Sequence, residues 1–295
     1  MAEAGPHRTG VVAILGPPNA GKSTLLNRLL GEKLAIVTAK PQTTRSDILG
    51  ILTLEGAQIL FHDTPGRHAA SRSINRALNE LVEEAAADCD LGLVLVDLAR
   101  GWQAEHSELC AALGERDASF LLVGTKLDLP GAAPAPWPPD EATGAAATLR
   151  VSAATGEGTA ELLEAVVRRL PEGPALYPAD AITDRSLRFL SAELVREAAF
   201  EELAQELPYA LAVEVVEFDE SRPDLVRIRA DLLVERRSQK QIVIGAGGAV
   251  IKRIGMRARR QIERLVASQV HLALWVKLEP RWSRRAKRLK TLGYS

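Results

Sequence analysis

A pattern typical of phosphate binding occupies Gly16–Thr24. The segment reads GPPNAGKST and follows an apolar, strand-like run, VVAIL. Glycines in such a loop let backbone N–H groups surround phosphate oxygens, and the positive end of the next helix adds to the attraction. The spacing brings Lys22 to the β- and γ-phosphates of a nucleotide and the Ser23 hydroxyl to Mg²⁺. The predicted binding residues are Gly16, Pro17, Pro18, Asn19, Ala20, Gly21, Lys22, Ser23 and Thr24.

A polar segment, TAKPQTTRSD, lies between the first predicted helix and the second predicted strand. From it, Thr43 and Thr44 would reach over the nucleotide, where a threonine hydroxyl and backbone meet Mg²⁺ and the γ-phosphate. Taken alone, the segment is also typical of a plain surface loop. In the nucleotide interpretation, Thr44 is a metal ligand and a catalytic residue.

The next strand-like run ends in Asp63-Thr64-Pro65-Gly66. An aspartate at a strand terminus can hold Mg²⁺ through water, and the backbone N–H of Gly66 can approach the γ-phosphate and detect its loss. The predicted metal ligands are therefore Ser23, Thr44 and Asp63, and the predicted catalytic residues are Lys22, Thr44 and Gly66. Thr64 and Pro65 complete this nucleotide-binding segment.

Two later segments have the chemistry to recognise a base. In Thr125-Lys126-Leu127-Asp128, the Asp128 carboxylate can accept hydrogen bonds from N1–H and the 2-amino group of guanine, a donor pair that adenine lacks. The stem of Lys126 can lie along the base. In Ser152-Ala153-Ala154, a backbone N–H can meet the guanine oxygen. These segments predict a guanine nucleotide.

The elements that would position these residues alternate between apolar strands, such as Leu91–Asp97, and amphipathic helices, such as Glu105–Arg116. This alternation predicts an α/β domain in which helices cover both faces of a mostly parallel sheet. Ligands bind such sheets at the carboxyl ends of the strands, which is where the motifs fall.

Charge is distributed unevenly along the chain. The formal net charge is −1, yet residues 236–295 carry 16 Lys and Arg against 2 Asp and Glu. This concentration favours a nucleic-acid or other anionic partner, with a solvated basic face as the alternative. Two cysteines and the lack of an apolar run long enough for a membrane span or a secretion signal predict a cytoplasmic, soluble protein.

Within the basic region, residues 242–255 read IVIGAGGAVIKRIG. A glycine loop between an apolar turn and a helix lets the backbone approach a single RNA strand and clamp about four nucleotides. Behind the loop, Val250, Ile254, Ala258, Ile262 and Leu265 fall at helical spacing and predict a core face. The predicted RNA contacts are Ile244, Gly245, Ala246, Gly247, Gly248, Lys252 and Arg253.

Over nearly the whole chain, these motifs resemble the Era family of small GTPases. The resemblance is carried by PPNAGKST, PQTTR, DTPG, TKLD, SAATGEG, the glycine loop and a closing WVK…W…LGY pattern. It implies a P-loop GTPase domain over residues 1–175, a linker over 176–185 and a smaller α+β, type II KH domain over 186–295. It further implies a switch that hydrolyses GTP with Mg²⁺, binds the 3′ end of 16S ribosomal RNA and assists assembly of the small, 30S ribosomal subunit.

The resemblance carries two further expectations. Asn19 is shared with related GTPases that bind K⁺ in this loop, where its side-chain carbonyl would be a ligand. Hydrogen bonding of Asn19 within the loop is the alternative. Besides the small ribosomal subunit, the inner face of the cytoplasmic membrane is an expected site of peripheral association.

Three positions depart from the family pattern. Thr125 stands where the family usually has asparagine, and Ala246 stands where it typically has Lys or Arg, so that one phosphate contact is lost. Arg67 follows DTPG, where an apolar residue is usual, and a guanidinium cannot act as a base. Two alternative functions stay open: an RNA-binding scaffold that scarcely turns over its nucleotide, and a related GTPase acting on tRNA modification or at a membrane.

Overall fold

In a computed structural model, the protein divides into two compact units after Asp184. The structure describes residues 7–38, 48–64, 83–132, 136–204 and 207–292. No helix within these ranges is both long enough and apolar enough to cross a membrane.

The first unit is built on a six-stranded sheet. Its elements are β1 (Arg8–Leu15), α1 (Lys22–Leu30), β2 (Ile48–Leu54), β3 (Ala57–Asp63), β4 (Leu91–Asp97), α2 (Ala104–Gly114), β5 (Ser119–Thr125), β6 (Ala147–Arg150) and α3 (Thr159–Val167), and residues 83–87 are also helical. The strand order is β2-β3-β1-β4-β5-β6, in which only β2 and β3 pair antiparallel. The predicted mostly parallel sheet is confirmed.

Two glycines in the sheet show that helices cover both of its faces. A side chain at Gly50 would clash with α1, and a side chain at Gly92 would clash with α2. In the strand register, Gly50 aligns with Val12 of β1, whereas Gly92 aligns with Ala13, the next residue of β1. Because consecutive strand residues face opposite sides of a sheet, α1 and α2 pack on opposite faces.

The parallel strands deliver their polar ends to one edge of this sheet. Ile14 in β1 pairs with Asp63, the last residue of β3, and Asp97 pairs with Thr125 at the ends of β4 and β5. The carboxyl ends of β1, β3, β4 and β5 therefore lie side by side at this edge.

Residues 176–184, all but the last position of the predicted linker 176–185, are instead a structured part of the first unit. The Gln58 side chain in β3 accepts hydrogen bonds from the backbone N–H groups of Leu176 and Tyr177, at 2.7 and 2.9 Å. The backbone N–H of Ile51 donates to the carbonyl of Ile182 at 2.9 Å. The segment is rich in loop-forming residues, as a linker is, but it satisfies its backbone groups on the sheet, so the division falls after Asp184.

The second unit has the element order α-β-β-α-α-β that the type II KH prediction requires. Its elements are α4 (Leu187–Glu202), β7 (Ala212–Arg222), β8 (Leu225–Val234), α5 (Arg237–Ile244), α6 (Ala249–Val266) and β9 (Gln269–Leu278), followed by α7 (Ala286–Thr291). In the sheet, β8 pairs antiparallel with β7 and parallel with β9. Ile254, Ala258 and Ile262 of α6 are fully buried against the sheet, as predicted, and Val250 and Leu265 are partly buried there.

Candidate functional site

The phosphate loop, residues 16–21, joins β1 to α1 through three residues in the left-handed region. The φ angles are 148° at Gly16, 64° at Asn19 and 100° at Gly21. A side chain at Gly16 would lie 2.9 Å from the carbonyl oxygen of Leu95 in β4. Both the backbone angle and the close approach of β4 therefore require glycine at position 16.

Lys22 begins α1 and folds back over the phosphate loop. Its Nζ atom donates hydrogen bonds to the carbonyl oxygens of Gly16 and Pro17, at 2.8 and 3.0 Å. Burial lowers the pKa of this amine to about 8, and the charge of Asp63 opposes that shift. The amine is thus held at the place where the backbone N–H groups of the loop would receive phosphate oxygens.

Two predicted Mg²⁺ ligands lie in contact. The Ser23 hydroxyl donates to Oδ2 of Asp63 at 2.6 Å, and Asp63 is fully buried at the end of β3. Beside it, the Thr64 hydroxyl donates to the carbonyl of Ile14 at 2.8 Å and ties this segment to β1. Hydroxyl and carboxylate oxygens are hard ligands, so the pair fits Mg²⁺ bound together with phosphate and water oxygens.

The remaining predicted contacts of the γ-phosphate lie outside the described residues. They are Thr43, Thr44, Pro65 and Gly66, and Arg67 lies there with them. Their roles stay predictions of the sequence.

The segment Thr125–Asp128 begins at the last residue of β5 and contacts the phosphate loop. Thr125 is buried, and its hydroxyl lies 2.7 Å from the carbonyl oxygen of Ala20 and 3.2 Å from that of Val96. The Lys126 amine donates to Oδ2 of Asp97 at 2.7 Å. Base-binding and phosphate-binding segments therefore form one continuous surface at the carboxyl edge of the sheet.

Asp128 is exposed at this edge and is joined to the loop after β6. Its Oδ1 atom accepts a hydrogen bond of 2.6 Å from the Ser152 hydroxyl, which in turn accepts from the backbone N–H of Thr155 at 3.1 Å. The structure thus brings Asp128 together with Ser152, Ala153 and Ala154, as a guanine site requires.

Three residues at this site were not predicted from the sequence. Asp97 pairs with Lys126. Its position at the end of a strand on the same edge could have identified it as a site residue from the sequence. Arg28 in α1 donates to the carbonyl oxygens of Ala153, at 2.7 Å, and Ala154. No local pattern marks that contact, because the partners are 125 and 126 positions apart.

The third such residue, His106 in α2, is fully buried beneath the phosphate loop. Its Nδ1 accepts from the backbone N–H of Gln103 at 2.8 Å, so Nε2–H donates to the carbonyl of Leu95 at 3.1 Å. Burial lowers the pKa of His106 and favours the neutral ring. The Leu95 carbonyl is also the group that lies against Gly16, so His106 holds in place the part of β4 on which the phosphate loop packs.

The glycine loop of the second unit, Gly245–Gly248, joins α5 to α6. The φ angles are 73° at Gly245, 57° at Gly247 and 80° at Gly248. A side chain at Gly245 would lie 2.5 Å from Cγ2 of Val250, whereas nothing lies within 4 Å of one at Gly247. Ala246 and Gly247 are exposed, so the loop presents its backbone to solvent, as close approach of an RNA strand demands.

The basic residues of α6 differ in their availability. Arg253 pairs with Glu202 at 2.6 Å, and Arg257 pairs with Glu201. Both glutamates belong to α4. Lys252 is exposed and makes no ion pair with any residue in the described ranges. Among the two predicted cationic RNA contacts, Lys252 therefore offers its charge to a partner, and Arg253 shares its charge with a carboxylate.

Comparison with known proteins finds relatives of both units. Residues 11–126 match a family model described as a 50S ribosome-binding GTPase, and residues 206–283 match one described as a KH domain. The curated GTPase Era of Geobacter metallireducens is 42% identical over 300 residues, with 98% of this chain and 99% of the relative covered. GTPase Era of Xanthomonas campestris pv. campestris is 41% identical over the full length of both chains.

Two solved structures are similar to the whole chain. A crystal structure of Era in complex with MgGDPNP and nucleotides 1506–1542 of 16S ribosomal RNA has a TM-score of 0.90 and 33% sequence identity. A variant of Aquifex aeolicus Era bound to GDP and AlF4⁻ has the same TM-score and 34% identity. Each comparison covers 98% of this chain and 99% of the other.

Proposed function

Because the chain belongs to the Era family of GTPases, we propose that it is a switch that binds the 3′ end of 16S ribosomal RNA and assists maturation of the 30S subunit. The observation that carries the proposal is the glycine loop, exposed in the same chain as a guanine-nucleotide site. The similar Era structure with MgGDPNP and 16S nucleotides supports this pairing of ligands.

We assign the phosphate chemistry to Lys22, Ser23 and Asp63. On nucleotide binding, the Lys22 amine exchanges the carbonyls of Gly16 and Pro17 for β- and γ-phosphate oxygens. Ser23 and Asp63 would hold Mg²⁺, which when bound would neutralise negative charge on the phosphoryl oxygens. Thr44 and Gly66 would contact the γ-phosphate, as the sequence predicts.

We assign base recognition to Asp128 and the loop after β6. The carboxylate accepts hydrogen bonds from N1–H and the 2-amino group of guanine, and the Ser152 hydroxyl fixes its orientation at 2.6 Å. Adenine offers no matching donor pair, so the lone pairs of the carboxylate that face the base would stay unpaired, which costs several kcal/mol.

We propose that K⁺ assists hydrolysis through Asn19. Its side chain makes no hydrogen bond to any described residue, so the alternative of a bond within the loop finds no support there. A carbonyl ligand at this position would hold the cation beside the β- and γ-phosphates, where charge develops on the bridging oxygen.

Turnover in KCl and NaCl at one ionic strength tests this proposal, with wild type and Asn19→Ala compared. We expect faster hydrolysis in KCl for wild type and equal rates in both salts for the variant. Equal rates for wild type would dismiss the ion, and stimulation that persists in Asn19→Ala would dismiss this ligand.

We propose a cytoplasmic location for this protein, where ribosomal subunits mature, with peripheral association at the inner face of the membrane as a second location. Fractionation of cells tests both. Recovery with 30S particles supports the first, and recovery with membranes after ribosomes are removed supports the second.

Binding of a short RNA with the sequence of the 16S 3′ end tests the RNA assignment. We expect Gly247→Asp to abolish binding, since it adds a negative charge where the backbone must approach phosphates. Pro223→Asp, which adds the same charge to an exposed turn, is the matched control and should bind as wild type does. For wild type, log affinity should fall linearly with log salt, by about 0.7 per phosphate contacted.

GTP hydrolysis without RNA should be equal in all three proteins. Unchanged RNA affinity in Gly247→Asp would remove the glycine loop from the proposal.

A further inference from the structure

We propose that Arg28 is a positioning residue for guanine: from α1 it holds the Ser152–Ala154 loop so that the N–H of Ala154 faces the 6-oxo group. The inference rests on the base assignment made above. It concerns a side chain that reaches neither the base nor the phosphates and acts through the backbone of this loop.

Both carbonyls that Arg28 contacts belong to the base-binding loop. Its Nε donates to the carbonyl of Ala153 at 2.7 Å, and its Nη2 donates to the carbonyl of Ala154. A guanidinium presents its donors in a rigid planar fork, so one side chain sets the direction of two successive peptide groups. Because the donor is charged, these hydrogen bonds are stronger than neutral ones although Arg28 is exposed.

The planarity of the peptide bond converts this contact into a direction for an N–H group. In a trans peptide, the carbonyl of one residue and the N–H of the next point in opposite directions. Since Arg28 draws the Ala153 carbonyl toward α1, the Ala154 N–H points away from α1. The Thr155 N–H, opposite the Ala154 carbonyl, is already bound to the Ser152 hydroxyl at 3.1 Å.

The donors that remain in this loop are the N–H groups of Ala153 and Ala154. Neither donates a hydrogen bond to a described residue. The Ala153 N–H is directed by a different contact, because the Ser152 carbonyl opposite it accepts from the Gly156 N–H at 2.8 Å. The loop thus leaves two donors for a ligand, and Arg28 directs one of them.

Arg28 also connects the base loop to the phosphate loop. It lies in the last turn of α1, and this helix begins at Lys22. On the base side, the Ser152 hydroxyl holds the Asp128 carboxylate. One short helix therefore carries a phosphate contact at its first residue and the support of the base loop in its last turn.

Comparison of GDP with 6-thio-GDP tests the role of Arg28. The thio analogue keeps the two donors that Asp128 reads but replaces the 6-oxo group by sulfur, a weak acceptor. We expect wild type to prefer GDP about tenfold, the equivalent of one hydrogen bond. Arg28→Ala should lose most of that preference, by binding GDP about tenfold more weakly and 6-thio-GDP almost unchanged.

Arg28→Lys, with a single ammonium, should recover part of the preference. Arg168→Ala removes an exposed arginine of the i,i+4 pair with Glu164 and is the matched control, with no expected effect. The kcat of Arg28→Ala should equal that of wild type, because the phosphate contacts are intact. Its KM for GTP should rise, because the base is held less well.

Different results would overturn the assignment of this loop to the 6-oxo group and the role of Arg28. Equal binding of GDP and 6-thio-GDP by wild type would overturn the assignment of this loop to the 6-oxo group and the inference with it. A full preference for GDP retained in Arg28→Ala would overturn the role of Arg28 alone. Loss of affinity for both nucleotides by the same factor would show a general structural role and would also overturn it.

Discussion

The hydroxyl of Thr125 donates a hydrogen bond to the backbone carbonyl of Ala20, with 2.7 Å between the two oxygens. Ala20 belongs to the phosphate loop, and Thr125 ends β5 and begins the base-binding segment. One hydroxyl therefore joins the two halves of the nucleotide site. The Era family usually has asparagine here, so the sequence departs from the family pattern while the structure retains a bracing contact.

Thr125→Ala should weaken GDP binding about fivefold to tenfold, because a typical hydrogen bond contributes about 1 kcal/mol. The free energy of unfolding should fall by about 1 kcal/mol or more, since the Ala20 carbonyl loses its donor. Calorimetry and urea denaturation measure the two effects. Thr125→Ser keeps the hydroxyl and should retain the affinity, and equal losses in both variants would dismiss the brace.

Lys22 should make the stability of the nucleotide-free protein depend on pH. Burial lowers its pKa from 10.5 to about 8, so between these values the unfolded chain holds the proton that the folded chain has released. The free energy of unfolding therefore rises with pH between about 8 and 10.5. Below about pH 8 this contribution is lost, because the folded protein must bury the charged amine.

Lys22→Met should flatten this part of the profile and be more stable than wild type near neutral pH without nucleotide. The gain is on the order of 3 kcal/mol at most, since a tenfold change in proton affinity corresponds to about 1.4 kcal/mol. Thermal unfolding across this pH range is the measurement. Parallel profiles for the two proteins would contradict the lowered pKa.

Asp128→Asn should exchange the preferred base. An amide offers a donor where the carboxylate offered only acceptors, so xanthine, with its 2-oxo group, becomes the better partner. GTP affinity should fall about a hundredfold, as expected for the loss of charge-assisted hydrogen bonds. Calorimetry with GTP, XTP and ATP checks this exchange, and wild type that binds ATP as well as GTP would refute the guanine assignment.

Gly245 and Gly247 should respond differently to alanine. A side chain at position 245 would lie 2.9 Å from the backbone nitrogen of Val250, as well as against its side chain, and both glycines have positive φ angles. Gly247→Ala should cost only the strain of its backbone angle, about 1 kcal/mol, and Gly245→Ala about 2 kcal/mol or more. Denaturation of the full chain compares them, and equal stability would remove the steric argument.

The sequence predicts the strands and their polar ends well because both signals are local. Lys22, Ser23, Asp63 and Asp128 stand at fixed offsets from apolar runs, and parallel strands bring those offsets to one edge. The contacts of Arg28 with the base loop depend on how α1 lies against the sheet, and no spacing along the chain encodes that.

Residues 176–185 are a second case in which the local sequence does not reveal a long-range contact. Its composition is that of a linker, but Gln58 binds its backbone from 118 and 119 positions away. Hydrogen bonds between such distant positions are determined by tertiary packing, because the partners meet only in the folded sheet. Secondary structure was therefore easier to predict here than the boundary between the units.

Sequencing of RNA crosslinked to the protein in cells, and to purified protein held with GDPNP or GDP, tests the central claim most directly. We predict that reads concentrate at the 3′ end of 16S ribosomal RNA, that GDPNP yields more of them than GDP, and that Gly247→Asp removes them. Reads that concentrate on 23S ribosomal RNA or tRNA, or that are equally abundant in Gly247→Asp, would contradict the account.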